Sequence, residues 1–199
     1  MSLVYLVHRS GTRIDEIAAY LDGLSADHRW HEVQQLARRD QERLYELAGA
    51  GPAITLDHFV PAAEPALREV IHDGKNTLPV FQTFQKRFCR PSADGDRLFG
   101  YNEGITRPLL GPGFFVAHPT AGNPEWERRG AVVVDYFMVP DGEVAPGWPR
   151  VVPNSHGLQV LVYHQTRDFM RRVSAHVSIG AAYKGEKKLG AYFALCRQG

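Results

Sequence analysis

Ala131-Val132-Val133-Val134-Asp135-Tyr136-Phe137-Met138-Val139 decides the fold. Three valines followed by two aromatic residues favour a strand, because branched and ring side chains suit a pleated surface and lose rotamer freedom in a helix. Gly122-Asn123-Pro124 and Pro140-Asp141-Gly142 bound the run with turn chemistry. Asp135 interrupts it. A carboxylate among apolar neighbours needs a cationic partner or lies on the open face of the sheet, and Val133 and Phe137 as same-face companions favour partial burial.

The texture on both sides is similar from Leu98 onward. Leu98–Asn102, Phe114–His118 and Leu158–His164 are short apolar runs between Gly and Pro clusters, and Val177–Tyr183 and Leu189–Cys196 flank Gly185-Glu186 as a hairpin. Thr166–Ala175 predicts a short helix with Phe169, Met170 and Val173 on its buried side.

Before Leu98 the pattern is helical. Ile14, Ile17, Ala18 and Leu21 form one apolar stripe behind Thr12, with Asp15 and Glu16 in the first turn and Gly23 at the end. Ser25 offers a cap for a segment with Trp30, Val33, Leu36 and Ala37. A third segment holds Leu44, Tyr45 and Leu47 and stops at Gly49, Gly51 and Pro52. A helical piece is expected over Pro65–Ile71. Phe81, Phe84 and Phe88, after Leu78-Pro79, recur at helical spacing with Gln82, Gln85, Lys86 and Arg90 as the polar side. The fold class is therefore α+β: short N-terminal helices packed on a C-terminal antiparallel sheet, curved or partly closed. Residues 1–199 form one domain, with 1–90 mostly helical and 95–199 sheet.

A chain of 199 residues with 44% hydrophobic and 23% charged residues buries enough surface to fold without metal or disulfide. Net charge is +1, which gives no support for a nucleic-acid partner. Residues 165–199 carry seven Lys or Arg against two acids, a modest basic end. Cys89 and Cys196 are too few for a disulfide scaffold, although sequence leaves open whether they meet. Leu3–Val7 is too short for a signal-peptide core, no stretch reads as a membrane span, and a cytoplasmic location is expected.

Phosphate-loop, dinucleotide-fingerprint, nucleophile-elbow and zinc-protease motifs are missing. His28 and His31 share a helix face, but no ligand register accompanies them, so neither metal nor cofactor is called for. Two polar groups remain. Tyr163-His164-Gln165-Thr166-Arg167-Asp168 places an acid/base group near a guanidinium, and Tyr101-Asn102-Glu103 with Arg107 ends an aromatic strand. Tyr101, Arg107, Asp135, His164 and Arg167 are the candidate ligand-binding residues, with His164 the first choice for any acid/base chemistry. The expected function is binding of a small, partly apolar molecule between curved sheet and helices. The alternative is an assembly protein that docks through Trp30, Tyr45 and Leu47 onto a partner or a second copy of the chain. A metal-dependent hydrolase is the third option, and no motif decides whether the chain is an enzyme.

Overall fold

A computed structural model describes residues 1–78, 80–93, 95–105, 107–155 and 164–198. Among these, five N-terminal helices come first: α1 (Leu3–His8), α2 (Ile14–Asp22), α3 (Ala26–Gln34), α4 (Arg38–Ala48) and the single turn α5 (Leu56–Phe59). The strands are β1 (Val70–Asn76), β2 (Thr83–Cys89), β3 (Leu98–Glu103), β4 (Phe115–Pro119), β5 (Val132–Asp135), β6 (Thr166–Arg172), β7 (Val177–Lys184) and β8 (Lys187–Arg197). Short helices α6 (Arg107–Leu110) and α7 (Pro124–Arg129) lie in two of the connections. Each strand pairs antiparallel with the next, and β1 also pairs with β8, so the sheet closes into a barrel. Closure removes the open edges that a sheet of this length would otherwise expose.

Side chains cap the starts of α1, α3 and α4, whereas α2 follows Arg13 with no side-chain cap and Thr12 accepts from Arg9 Nε instead. Ser25 accepts a hydrogen bond from the His28 amide at the start of α3, and the Asp40 carboxylate takes the Ala37 amide at 2.7 Å before α4. Their apolar faces cover the outside of β6–β8. Ile17, Leu21, Leu44 and Tyr45 join Phe169, Ile179, Ala181 and Ala194 in one buried cluster, with Trp30 and Leu47 packed partly buried against it. The aromatic and Leu side chains of the expected docking face are thus engaged within this layer.

Alternation along each strand builds the barrel interior. Phe88, Leu98, Phe115, Val134, Met170 and Leu195 share a second cluster with Ile54, Leu56, Phe59 and Val60, so α5 and its flanks close one end. Phe59 stacks 5.0 Å from Phe88, and its carbonyl bonds His72 Nε2 at 3.0 Å. A third cluster, Cys89, Phe99, Val116 and Ala145, lies outside β2–β4 beneath the 140–150 segment. Cys89 and Cys196 are both buried free thiols.

The α+β class with helices first and a closed antiparallel sheet matches expectation, but the sheet begins at Val70, well inside the part expected to be helical. Pro65–Ile71 yields to β1, whose inward positions are Val70, His72 and Gly74 and therefore show no hydrophobic alternation. Residues 81–88 do not form a helix. Phe84 and Phe88 lie on one face of β2 with Lys86 between them, and Phe81 is exposed in the preceding turn with φ of 54°. Thr166–Ala175 is likewise not a helix but mainly strand β6, in which Asp168 holds an interior position. In both strands a charged residue sits where the period of two demands an apolar one. The strand expected at Leu158–His164 lies outside the described residues except for His164, which is in a turn.

Candidate functional site

Three glycines prepare the barrel interior. Gly74 pairs across the ladder with Phe84, Gly100 with Phe115 and Gly180 with Phe193. A Cβ at any of these glycines would run into the facing ring, so the missing side chain lets each ring lie flat over its neighbour strand. With Tyr136 from the end of β5, these rings enclose the Lys86 ammonium. Its Nζ lies 4.9 Å from the centres of Phe115 and Phe193, 5.0 Å from Tyr136 and 5.8 Å from Phe84.

Lys86 is 2% exposed, and its ammonium has three polar partners. It is 3.3 Å from Asp168 Oδ2, donates to Asn102 Oδ1 at 3.0 Å and donates to the Tyr136 hydroxyl. Asn102 is itself fixed: its Nδ2 donates to the Gly113 carbonyl at 3.0 Å and to the Tyr136 hydroxyl at 3.1 Å, and its amide bonds Pro112. The Gly111-Pro112-Gly113 loop is thus the support on which the polar floor is oriented. Buried Asn154 bonds the carbonyls of Phe114 and Tyr136, tying β4 to the chain that leaves β5.

Burial dominates the electrostatics. Desolvation pulls the Lys86 pKa below its ordinary value against the opposing pull of Asp168, and pushes Asp168 above its ordinary value against Lys86 and Tyr136. Burial thus drives both groups toward their neutral forms. An amine, a carboxyl and a phenol within bonding reach can hold a polar ligand atom and move a proton to or from it.

Above this floor is a cavity of about 410 Å³, opening at the end of the barrel opposite α5. Phe84, Phe193, Ala182, Ala191 and Thr166 line its walls with the four polar floor residues. Its mouth carries Leu78, Val80, Phe81, Ile105 and Leu189, all exposed by 44% or more. The Asn76 side chain, bonded to the Phe81 carbonyl and the Leu78 amide, holds the turn that presents Phe81.

Of the residues singled out from sequence, Arg107 is at this mouth, where it pairs with Glu103 at 2.7 Å. Tyr101, Asp135 and Arg167 lie on the outer wall. Tyr101 packs on Trp148 and reaches toward Glu103. Asp135 bonds Arg167 Nε at 2.8 Å and the Phe137 amide at 2.8 Å, with His118 Nε2 at 4.0 Å. His164 is half-buried in the turn before β6 and is not among the residues that line the cavity. The groups that do converge are the chain neighbours of the outward three: Asn102, Tyr136 and Asp168. Lys86, which the sequence reading assigns to the polar side of a helix, is instead at the centre of the site; its setting between Phe84 and Phe88 at a spacing of two is the available signal.

Among the described residues no group of three or more His, Cys, Asp or Glu is placed to hold a metal ion, and no helix is long and apolar enough to cross a membrane. Comparison with family models, with curated proteins and with solved structures gave no match.

Proposed function

We propose that the chain binds a small, partly apolar molecule inside the open end of the barrel, with the molecule's polar group on Lys86, Asn102, Tyr136 and Asp168. The observation that carries this is a buried ion pair at the floor of a cavity whose walls are mostly apolar. A barrel interior gains no stability from such a pair, since well-packed apolar residues of similar volume do as well or better. Eight-stranded barrels are wide enough for one small ligand, and the cavity volume is in the range of small-molecule sites. The site is within the barrel, whereas the interface between sheet and helices is filled by side chains. The apolar mouth favours entry of a molecule with a hydrocarbon body.

Anilinonaphthalene sulfonate, an apolar fluorophore with one polar end, tests the reading. Saturable binding to the wild-type chain, lost when Ala182→Trp fills the cavity, supports it. No saturable binding, or equal binding by the folded Ala182→Trp variant, overturns it. Native mass spectrometry of the freshly purified chain gives the identity of any molecule already held.

A further inference from the structure

We propose that Lys86 is a nucleophile that captures an aldehyde or ketone as a covalent imine at the floor of the barrel cavity. This rests on the cavity reading above and names its ligand class. The chain has five lysines, and Lys75, Lys184, Lys187 and Lys188 all belong to the two hairpins at the open end or the strands beside them. Lys86 alone is buried, facing the cavity with a carboxylate 3.3 Å away.

The geometry supplies each element that imine formation needs. Proton transfer from the Lys86 ammonium to Asp168 gives a neutral amine, the form that attacks. Burial drives both groups in that direction. The amine adds to the carbonyl carbon, forming the C–N bond, and one amine proton moves to the oxygen to give a neutral carbinolamine. The Tyr136 hydroxyl, already bonded to Lys86, is placed to relay it. Asp168 then returns its proton to the carbinolamine hydroxyl, the C–O bond breaks and one water leaves. Carbonyl compound, ammonium and carboxylate thereby become iminium, carboxylate and water, with no other reactant.

The charge pattern at the end is the charge pattern at the start. A cation on nitrogen faces Asp168 and is surrounded by the rings of Phe84, Phe115, Tyr136 and Phe193. The cage that holds the ammonium therefore also stabilises the iminium, and the site needs no rearrangement of charge to accept it. The apolar walls select a carbonyl compound with a hydrocarbon body, and the enclosure keeps bulk water from hydrolysing the product.

The test is reductive trapping. The full chain is incubated with sodium cyanoborohydride and each of acetone, methyl butyl ketone and methyl hexyl ketone, then digested and mapped by mass spectrometry. The expected result is that the alkyl label concentrates on Lys86, increases with the longer chains and is lost in the Lys86→Met/Asp168→Leu double variant, which keeps the interior free of an unpaired charge. Tyr136→Phe, which retains the ring, is expected to slow labelling of Lys86 while leaving the four hairpin lysines unaffected. Label confined to Lys75, Lys184, Lys187 and Lys188, with none on Lys86, overturns the inference. If anilinonaphthalene sulfonate still binds in that case, the cavity reading stands and only the imine falls. If the fluorophore also fails to bind, both fall.

Discussion

Two acid–base pairs stand back to back on the wall formed by β5 and β6, the inner one completed by Lys86 from β2, and they behave in opposite ways. On the outer wall Asp135 meets Arg167 across the β5–β6 ladder. On the inner wall, one residue further along each strand, Tyr136 and Asp168 meet Lys86. Burial pushes the carboxyl pKa up in both places. At Asp135, bonds from the Arg167 guanidinium and the Phe137 amide and the nearby His118 ring outweigh that push, and the pKa falls below its ordinary value. At Asp168 the opposing groups are one ammonium and one phenol, burial wins, and the pKa rises. The outer pair also has Arg167 stacked 4.6 Å from Trp126 and 4.1 Å from Phe137, so the cation is held on three sides. A carboxylate saturated with donors stabilises the fold, whereas one held by a single desolvated cation is a strained arrangement kept for another reason.

The largest effect should come from unbalancing the inner pair. Lys86→Met leaves Asp168 uncompensated inside the barrel and should cost ~3–5 kcal/mol in denaturant unfolding. Adding Asp168→Leu should return the chain to wild-type stability or above it. The signs agree. A carboxyl raised above its unfolded value contributes stability that is complete below the unfolded value and is lost as pH rises through the folded one. A lysine lowered beneath its unfolded value contributes only at high pH. Between the two ordinary values both contributions are diminished, so removing both together costs little. A double variant as unstable as Lys86→Met would refute the comparison.

The outer pair should show the reverse, at a smaller size. Asp135→Ala removes an acceptor from Arg167 and from the Phe137 amide, and because Arg167 retains some solvent contact the cost should be ~1–3 kcal/mol. Here the folded pKa is depressed below the ordinary 3.8, so the contribution is complete above that pH and disappears as pH falls through the folded value. Urea unfolding of wild type and variant should therefore differ at neutral pH and converge in acid. A gap that persists unchanged to low pH would mean that the loss is packing rather than charge.

This division explains what the sequence could and could not disclose. The first half of the β5 run, the final hairpin and helices α2–α4 each obey one periodicity and are legible from it, whereas the strand expected through Val139 stops at Asp135. β2 and β6 were not, because Lys86 and Asp168 occupy interior positions and make Phe84-x-Lys86-x-Phe88 and Thr166-x-Asp168-x-Met170 look like strands with no apolar face. Of the three strands misread, β1, β2 and β6, the last two carry the inner ion pair. A period of two also means that adjacent residues point to opposite walls. Asp135, Tyr101 and Arg167 attract attention as polar or aromatic groups near strand ends, yet the residues on the cavity side are Tyr136, Asn102 and Asp168. Which wall is inward is set by closure of β1 on β8, a contact between distant segments that no local pattern encodes.

The finest probe of the comparison is His118, because it senses the outer carboxylate without bearing the pair. Its Nδ1 faces the Pro119 carbonyl at 3.0 Å, which leaves Nε2 toward Asp135 at 4.0 Å, within ion-pair range but beyond a good hydrogen bond. The Asp135 carboxylate raises the His118 pKa above the ordinary 6.5, with burial opposing it. A histidine raised in this way contributes stability that is complete below 6.5 and lost as pH rises through the folded value. The ring is partly exposed, so the contribution should be only ~0.5 kcal/mol. Titration followed by nuclear magnetic resonance should place His118 above 6.5 in the wild-type chain and return it toward that value in Asp135→Asn. The Lys86→Met/Asp168→Leu variant should leave the titration where it was, since the inner pair is on the other side of the sheet. Movement of His118 in that variant would mean that the two walls are electrostatically coupled, and that the cavity floor is sensed from outside the barrel.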